Sequence, residues 1–428
     1  MYFYEKGGSI FYVMKVIQPT FAINCYMPFM IKCIRFSVLL IFVAVAGCNN
    51  ATTETPQNTA ATVDIKDEST PGDFYKRMSG TIAGKNVIVQ LHKFGTLVQG
   101  YYQYSDADRP IKLVNWQDTI ADNTYHLTEV DNDGDAQDIT GAGWDITVSK
   151  DGVSGKWTSA DGRTTNNISL KEDYPAGSIR LEAFHFADTA RMFVTRQFPR
   201  AIVAYGGVYP SMNDKTEPGA FLRSAIANHM TLEGGAGMPR GFKTRAWRYF
   251  GNYRIDLKNL VDSNASEEVR KGIAYQYNST FYHSVIFNDN NWLVLEDAVA
   301  DYTGGAHGTY TATYQNLDIS TSTSWHLDDI IKDTTMLKPL LETAVREYFK
   351  IAPSEKLDSR LLVPDMPVST NVYLTRSGLM FVYQPYEIAS YADGLIQLFL
   401  PYPQLMPVLT PKFIARQQLG GKGGVAMR

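Results

Sequence analysis

Residues 282–287, YHSVIF, and residues 292–295, WLVL, are the stretches that decide the fold of the C-terminal part of the chain. Both are short runs rich in β-branched, aromatic and aliphatic residues, and such runs are typical of strands in a sheet. Residues 372–374, VYL, and 395–400, LIQLFL, have the same character. These four runs predict a β-sheet in this part of the chain.

Two helices are predicted among these strands. The first follows Glu217-Pro218-Gly219, where an acid and a proline stand at the start. The second follows Asp333-Thr334, which can cap the first turn. Strands interrupted by helices predict an α+β region, an antiparallel sheet with packed helices. The apolar residues at helical spacing are Phe221, Leu222, Ala225 and Ile226 in the first helix, and Leu337, Leu340, Leu341, Ala344, Val345 and Tyr348 in the second.

The preceding region, residues 74–174, has the alternating pattern of antiparallel strands. Apolar and polar residues alternate in residues 87–91, VIVQL, and in residues 97–104, LVQGYYQY. Asp151-Gly152 and Asp161-Gly162 mark turns, because these residue types tolerate positive φ. We predict a small all-β meander or barrel domain here.

Two motifs in this region have both a structural and a functional interpretation. Gly100 and Gly155 each precede an aromatic residue on a predicted strand, and we interpret them as leaving room for a neighbouring ring rather than as a ligand site. Asp131-Asn132-Asp133-Gly134-Asp135 suggests a calcium loop, but Thr140 stands where a bidentate Glu is needed. A hairpin turn is the better prediction there.

Length and composition limit the possible functions. The chain has 428 residues, 44% of them hydrophobic, which is enough for two or three packed domains. The net charge is −4, and without the residues before Cys48 it is −7, from 36 basic and 43 acidic residues. Such an acidic body argues against nucleic-acid binding. Because the cysteines are Cys25, Cys33 and Cys48, disulfides, thiolate nucleophiles and cysteine zinc sites are excluded after Cys48.

An export signal is predicted before Cys48. Lys32 and Arg35 are followed by an apolar run at residues 36–46, which is too short to span a bilayer comfortably. Val45-Ala46-Gly47-Cys48 resembles the bacterial lipobox. That resemblance implies that the sulfur of Cys48 receives a diacylglycerol, that the preceding peptide is removed, and that the lipid anchors the chain to a membrane. An ordinary cleaved signal with a chance cysteine and an uncleaved anchor are the alternatives.

The residues on either side of this signal complete the prediction. Residues 1–28 fit no export signal, so we expect the true start at Met27 or Met30. Residues 49–72 are rich in Thr, Ala, Asn, Pro and acids and should form a solvated tether. Asn49-Asn50-Ala51-Thr52 has no Asp at the second position of the lipoprotein, which favours the periplasmic face of an outer membrane.

Five motifs in the C-terminal part stand in an order known from one family. They are DYTGGAHG at residues 301–308, LDI at 317–319, WHLDDI at 325–330, YLTRSGL at 373–379 and YQPYEIASYADG at 383–394. In this order they resemble the extracytoplasmic domain, of unknown function, of RsiV-type anti-sigma factors, which is also found beside PdaC-type peptidoglycan deacetylase domains. The resemblance covers about residues 271–409.

This resemblance implies an extracytoplasmic α+β domain, and in one branch of the family that domain binds host lysozyme. We recognise no anti-sigma helix bundle, transmembrane helix or deacetylase metal motif in the sequence. Signalling to a sigma factor is therefore not expected, and lysozyme binding is one use of the fold among several.

The predicted domain organisation has six segments. They are an upstream extension with a lipoprotein signal peptide (1–47), a disordered tether (48–73), an all-β domain (74–174), a PdaC-like α+β module (175–270), an RsiV-like domain with the GGAHG and YEIASYADG motifs (271–415) and a tail (416–428).

His307 in the Gly-rich motif and Glu387 in the Tyr-rich motif are the candidates for chemistry. Brought together, they could form an acid/base pair or half of a metal site. No serine nucleophile motif, second histidine at metal spacing or phosphate loop accompanies them, so we expect no catalytic residue, metal or cofactor. The residues predicted to bind a ligand or to organise the loops are Tyr302, Gly304, Gly305, His307, Tyr386, Glu387 and Tyr391.

These observations predict a non-enzymatic, lipid-anchored protein of the cell envelope that binds a lysozyme-like protein or peptidoglycan. The alternative is a periplasmic cell-wall hydrolase in which His307 and Glu387 act as acid and base.

Overall fold

The structure is a computed structural model that describes residues 72–105, 109–115, 123–130, 141–230 and 237–419. Cys48, the signal segment, most of the predicted tether and the Asp131–Asp135 motif lie outside the described residues, as does the end of the tail from residue 420. The described part of the chain forms a closed barrel followed by an α+β region. The predicted fold class is confirmed.

Eight strands of the described chain form the barrel, and each pairs antiparallel with the next. The barrel closes where the first strand pairs with the last, with Met78 opposite Glu172. The inward side chains are large and apolar and fill the interior, as expected for a barrel of this size. The strands are β1 Phe74–Ile82, β2 Lys85–Phe94, β3 Leu97–Tyr104, β4 Ile111–Val114, β5 Thr124–Val130, β6 Gly143–Val148, β7 Gly152–Thr158 and β8 Thr165–Glu172.

Gly100 and Gly155 mark close contacts between neighbouring barrel strands. A Cβ at Gly100 would lie 2.4 Å from the carbonyl oxygen of Gln90, and one at Gly155 would lie 2.1 Å from the carbonyl oxygen of Asp145. The interpretation of both as packing glycines is confirmed, but the predicted neighbour is wrong. The glycines leave room for the backbone of the strand with which they pair rather than for an aromatic ring, because Gly100 lies opposite Leu91 and Gly155 opposite Ile146.

The chain continues into a second sheet with its helices. These elements are β9 Glu182–Arg191, β10 Arg200–Tyr209, α1 Glu217–His229, α2 Met238–Leu257, α3 Glu267–Arg270, β11 Tyr277–Asp289, β12 Trp292–Tyr302, β13 Thr309–Asp318 and β14 Thr323–Trp325. The strand order is β14-β13-β12-β11-β10-β9, and all neighbours are antiparallel except β10 and β11. A parallel pair needs a crossover, which α1 and α2 provide. Strands on both sides of the predicted boundary at residue 270 thus share one sheet.

The last elements form a three-stranded sheet with short helices around it. They are α4 Leu327–Ile330, α5 Thr334–Phe349, β15 Val372–Leu374, β16 Gly378–Tyr383, β17 Ile396–Pro401, α6 Tyr402–Leu405 and α7 Pro411–Gln417. The helix predicted after Asp333 is confirmed, and the Asp333 carboxylate accepts hydrogen bonds from the backbone N–H groups of Thr335 and Met336 at 2.9 and 3.2 Å. Its apolar side chains Leu337, Leu341 and Val345 are buried against this sheet.

The second sheet has a different covering on each face. α2 lies on one face, where the Phe242 ring contacts Tyr205 and Phe281 at centroid distances of 6.0 and 6.1 Å. The barrel lies on the other face, where Phe94 stacks on Tyr282 at 6.1 Å. Both faces are therefore buried, which explains why most side chains of β11 and β12 are buried instead of alternating between buried and exposed.

A buried carboxylate, Glu296 on β12, lies at the centre of the contact between barrel and sheet. The hydroxyl of Tyr101 on β3 donates to Glu296 Oε2 at 2.5 Å, and Lys112 Nζ on β4 lies 3.3 Å from the same oxygen. Tyr314 on β13 donates to Oε1 at 3.1 Å. Burial and the Glu296 charge raise the pKa of Tyr101, so its hydroxyl stays a donor.

Arg77 on β1 makes a second buried link. Its side chain is 2% exposed, its Nε donates to the carbonyl oxygen of Asn288 at 2.6 Å, and its Nη2 lies 3.4 Å from the Asp289 carboxylate. Nη1 also donates to the carbonyl oxygen of Asp173 at 2.8 Å. One guanidinium therefore ties the barrel to the end of β11.

We predict that Arg77→Ala lowers the free energy of unfolding by about 3–5 kcal/mol, because it leaves buried acceptors without a donor. Urea unfolding followed by circular dichroism measures the change. Arg163→Ala is the matched control, because the Arg163 side chain is 86% exposed beside Asp161, and it should change the stability by less than about 1 kcal/mol. Equal losses in the two variants would contradict the role of Arg77.

A second prediction concerns His92, which is fully buried where β2 meets β11. Burial lowers the pKa of His92 to about 3, and its Nε2 accepts a hydrogen bond from the Val285 N–H at 3.0 Å. An unfolded histidine titrates near 6.5, so the unfolded state takes up a proton first as the pH falls. Stability is therefore lost between pH 6.5 and 3.

In His92→Gln, which keeps an acceptor without a titrating group, this loss should be absent. Between pH 7 and pH 4.5 the wild type should lose about 2–3 kcal/mol more unfolding free energy than the variant. Urea unfolding at the two pH values gives the comparison. An identical pH dependence in both proteins would show that His92 is not the group responsible.

Candidate functional site

Two loops meet at one end of the second sheet. The first joins β12 to β13 and contains Gly304, Gly305 and His307. The second follows β16, contains Tyr386 and Glu387, and ends in a single 3₁₀ turn at Tyr391–Asp393. The structure thus brings together residues that are about 80 positions apart in the sequence.

The contact between these loops is a group of three rings, His307, Tyr386 and Tyr391, which we call the aromatic cluster. The His307 ring stacks on Tyr391 with centroids 4.0 Å apart and planes 27° apart. The Tyr386 hydroxyl lies 3.5 Å from His307 Nε2, and the Tyr391 hydroxyl donates to the carbonyl oxygen of Gly308 at 2.8 Å. His307 is exposed and Tyr386 is 58% exposed, so the cluster faces solvent.

Gly304 and Tyr302 give the first loop its shape. Gly304 has φ of +82°, and a Cβ on it would lie 2.2 Å from the carbonyl oxygen of Ala274. The buried Tyr302 donates its hydroxyl to the carbonyl oxygen of Gly305 at 2.9 Å. Only glycine fits at position 304 without strain. At Gly305 a Cβ would meet nothing closer than the His307 carbonyl oxygen at 3.6 Å, so position 305 is not restricted in this way.

The second loop is held by its own turn. Glu387 Oε2 accepts a hydrogen bond from the Gln384 N–H at 2.8 Å, and the Glu387 N–H donates to the Gln384 carbonyl oxygen at 3.0 Å. Between them Tyr386 has φ of +69°, which is uncommon for a residue with a side chain. This backbone conformation coincides with the strongly exposed ring of Tyr386, and such outliers concentrate at functional sites.

His307 and Glu387 form no acid/base pair in the described part of the chain. His307 Nδ1 lies 2.8 Å from the Gly308 carbonyl oxygen, which can only accept, so Nδ1 carries a proton. In the neutral ring Nε2 is then an acceptor for the Tyr386 hydroxyl. The hydrogen bonds of Glu387 lie within its own turn, and no hydrogen bond or ion pair links it to His307 across the described ranges.

Two amide side chains that the sequence did not single out bond to Ala312 on β13, Gln384 from the second loop and Asn371 from the residue just before β15. The Gln384 side chain donates to the Ala312 carbonyl oxygen at 2.7 Å and accepts from the Ala312 N–H at 3.1 Å. Asn371 Nδ2 donates to the same carbonyl oxygen at 2.9 Å. Gln384 belongs to the YQPYEI motif, which was the one available signal, whereas nothing in the sequence pointed to Asn371.

The sequence also failed to reveal a group of two histidines and one carboxylate on the helix-covered face, in which His283 and Asp297 are buried and His229 is exposed. His283 Nδ1 hydrogen-bonds to Asp297 on the next strand, and His229 Nε2, at the end of α1, lies 3.2 Å from the other Asp297 oxygen. Burial alone would raise the pKa of Asp297, but the two histidines outweigh it and hold the pKa at about 2. In the residues that the structure describes, no three potential ligand side chains are arranged to hold a metal ion.

A cleft lies between the outer surface of β1–β3 and the second sheet. Its volume is about 400 Å³, and its lining includes Gln90, Gln103, Tyr101, Phe287 and Arg376. Clefts between packed domains are a common location for ligand sites. No helix in the described ranges is both long and apolar enough to cross a bilayer.

We predict that Gly304→Ala lowers the unfolding free energy by more than about 2 kcal/mol, because it adds both a clash and an unfavourable φ. Gly305→Ala is the matched control in the same loop and should cost less than about 1 kcal/mol. Thermal and urea unfolding of both variants test the difference. Similar losses would mean that the backbone of position 304 is not restrained as described.

Comparison with known proteins gives a family for the C-terminal part. Residues 328–403 match the DUF3298 family, described as a protein of unknown function. This range contains Tyr386, Glu387 and Tyr391 but not the loop of His307. No curated protein sequence matches the chain significantly.

Two solved structures belong to the same family. A member from Bacteroides fragilis NCTC 9343 is 27% identical, covers 55% of this chain and 95% of its own, and has a TM-score of 0.49. A DUF3298 family protein from Pseudomonas aeruginosa PAO1 is 15% identical over 56% of this chain and 98% of its own, with a TM-score of 0.39. The family match itself rests on residues 328–403, in the C-terminal part of the chain.

Proposed function

We propose that this chain is a non-enzymatic, lipid-anchored protein of the cell envelope that binds a lysozyme-like protein through the aromatic cluster. The observation that carries the proposal is a group of three contacting rings, two of them exposed and Tyr391 half-buried, on two loops that are held by hydrogen bonds to the backbone. Tyrosine offers a large contact area and a polar tip at low entropic cost, and it is enriched among residues that dominate binding energy. Rigid support reduces the cost of ordering on binding.

Two sequence features give the ligand class and the location. The ordered motifs resemble those of RsiV-type anti-sigma factors, one branch of which binds lysozyme. The lipobox at Cys48 supports attachment to a membrane by its lipid, and the residues after Cys48 favour the periplasmic face of an outer membrane. The protein would act by surface complementarity and would need no cofactor.

The second candidate ligand is peptidoglycan, favoured by the cleft beside the barrel. Its lining includes Gln90, Gln103 and Arg376, and the guanidinium of Arg376 lies 3.2 Å from the Asp289 carboxylate. Amides suit hydroxyl-rich and amide-rich ligands, and a guanidinium suits the carboxylates of a wall peptide.

A wall hydrolase based on His307 and Glu387 has less support. A general base needs to reach the proton that it removes, and the groups of an acid/base pair must converge on one substrate. The Glu387 carboxylate instead accepts a backbone hydrogen bond in its own turn.

The test is calorimetric titration of the fragment from Asn49 to Arg428 with lysozyme and with soluble peptidoglycan fragments, at two salt concentrations. We expect saturable lysozyme binding that Tyr386→Ala weakens by at least about tenfold, because exposed tyrosines at the centre of interfaces commonly contribute that much. Met336→Ala on α5 is the control, because Met336 is also exposed and apolar but lies outside the cluster. It should leave the affinity unchanged.

Other outcomes separate the candidates. If the protein binds peptidoglycan but not lysozyme, and Tyr386→Ala does not change this binding, the ligand site would be the cleft and not the aromatic cluster. Turnover of wall substrates that is lost in a folded His307→Ala variant would favour the hydrolase. Binding of neither ligand would contradict both binding proposals.

A further inference from the structure

α2 is the most basic element of an acidic chain. Its 20 residues contain Arg240, Lys243, Arg245, Arg248 and Arg254 against one acid, Asp256, whereas the whole chain has a net charge of −4. Lys258, another basic residue, directly follows the last residue of the helix. Such a separation of charge within one protein indicates an electrostatic surface with a specific partner.

The buried side of α2 is fully used by the fold. Every fourth or third residue along it packs against the second sheet: Met238, Phe242, Ala246, Phe250, Tyr253 and Leu257. The opposite side of the helix must therefore face outward.

That outward side carries large apolar side chains. Trp247 is 62% exposed and Ile255 is 73% exposed, and Leu260, three residues beyond the helix, is 64% exposed. Eight large hydrophobic side chains are exposed among the described residues, and these are three of them. Their concentration on one element is unusual, since exposed apolar residues normally occur singly.

Gly251 lies between Trp247 and Ile255 on the same stripe, because residues four apart are neighbours on a helix. A Cβ on Gly251 would meet no atom within 4 Å, so the fold itself does not require glycine there. Glycine also weakens a helix interior. The gap between the two apolar side chains is open to an external partner.

Basic side chains flank this stripe. Arg240, Arg254 and Lys258 are exposed, and Lys243 Nζ lies 5.2 Å from the centre of the Trp247 ring. Asp256 lies beside Tyr277, whose hydroxyl is 3.5 Å from its carboxylate, and this places the acid away from the stripe. Tryptophan prefers the headgroup level of a bilayer, and arginine and lysine bind lipid phosphates.

We propose that the outward face of α2, formed by Arg240, Trp247, Gly251, Ile255, Arg254 and Lys258, docks on an anionic phospholipid surface. Trp247 and Ile255 enter the headgroup region and the flanking cations contact phosphates. The proposal does not depend on the ligand of the aromatic cluster. It concerns how the folded part contacts the membrane, in addition to any lipid on Cys48.

The test uses the fragment from Asn49 to Arg428, which has neither a lipid on Cys48 nor the apolar run at residues 36–46, and measures co-flotation with phosphatidylcholine vesicles that contain phosphatidylglycerol. We expect partitioning that falls roughly fivefold for each basic residue neutralised in Arg254→Gln and Lys258→Gln. Arg163→Gln, an exposed barrel arginine, is the matched control and should have no effect. Equal partitioning of all these variants would overturn the proposal.

Fluorescence places the contact on the helix. With vesicles carrying brominated acyl chains, quenching should be much stronger in the parent protein than in Trp247→Phe, and it should vanish in pure phosphatidylcholine. Quenching that is the same with and without Trp247 would assign membrane contact to another segment and refute the proposal. No lysozyme or peptidoglycan is present, so this result is independent of the proposed ligand binding.

Discussion

The carboxylate of Glu296 is the constraint on which the rest of the structure depends. A buried charge is costly unless each of its lone pairs has a partner, and its partners come from both layers, Tyr101 and Lys112 from the barrel and Tyr314 from the sheet. Neither layer can satisfy this group alone. The barrel is therefore part of the folding unit of the α+β region. Other buried polar side chains on the covered face also bond to the barrel, as Ser284 does to Gln99 and Asn288 to Tyr75.

The periodicity of the sequence was sufficient to predict secondary structure elements, because these depend on residues that are close together along the chain. The runs at residues 87–91 and 97–104 indicated two barrel strands, although β3 is buried on both sides. The spacing after Asp333 indicated α5, because it reports which side of the helix is buried. The parallel pairing of β10 with β11 had no such signal, since it depends on a crossover of two helices. The same limit explains the error about Gly100, whose neighbour is set by the pairing of β3 with β2 and not by the aromatic residue next to it.

For the candidate site, the ordered motifs identified the two loops, and the structure shows that His307 meets Tyr386 and Tyr391. The motifs did not reveal what each side chain does. Glu387 stands one residue after Tyr386, yet its carboxylate turns back to a backbone N–H while the ring points outward. Such directions depend on local backbone angles that residue order does not specify. The group of His229, His283 and Asp297 was hidden because its members come from three elements.

The hydrogen bonds from the Gln384 and Asn371 side chains to the Ala312 backbone affect how the protein behaves at high concentration. β14 is only three residues long, so most of β13 would offer unpaired backbone groups to a strand from another molecule. Gln384 and Asn371 occupy the N–H and carbonyl groups at the middle of that edge. Exposed edges are templates for intermolecular sheet growth, and blocked edges are not. The loop that presents Tyr386 therefore also keeps neighbouring copies from joining their sheets when they are crowded together.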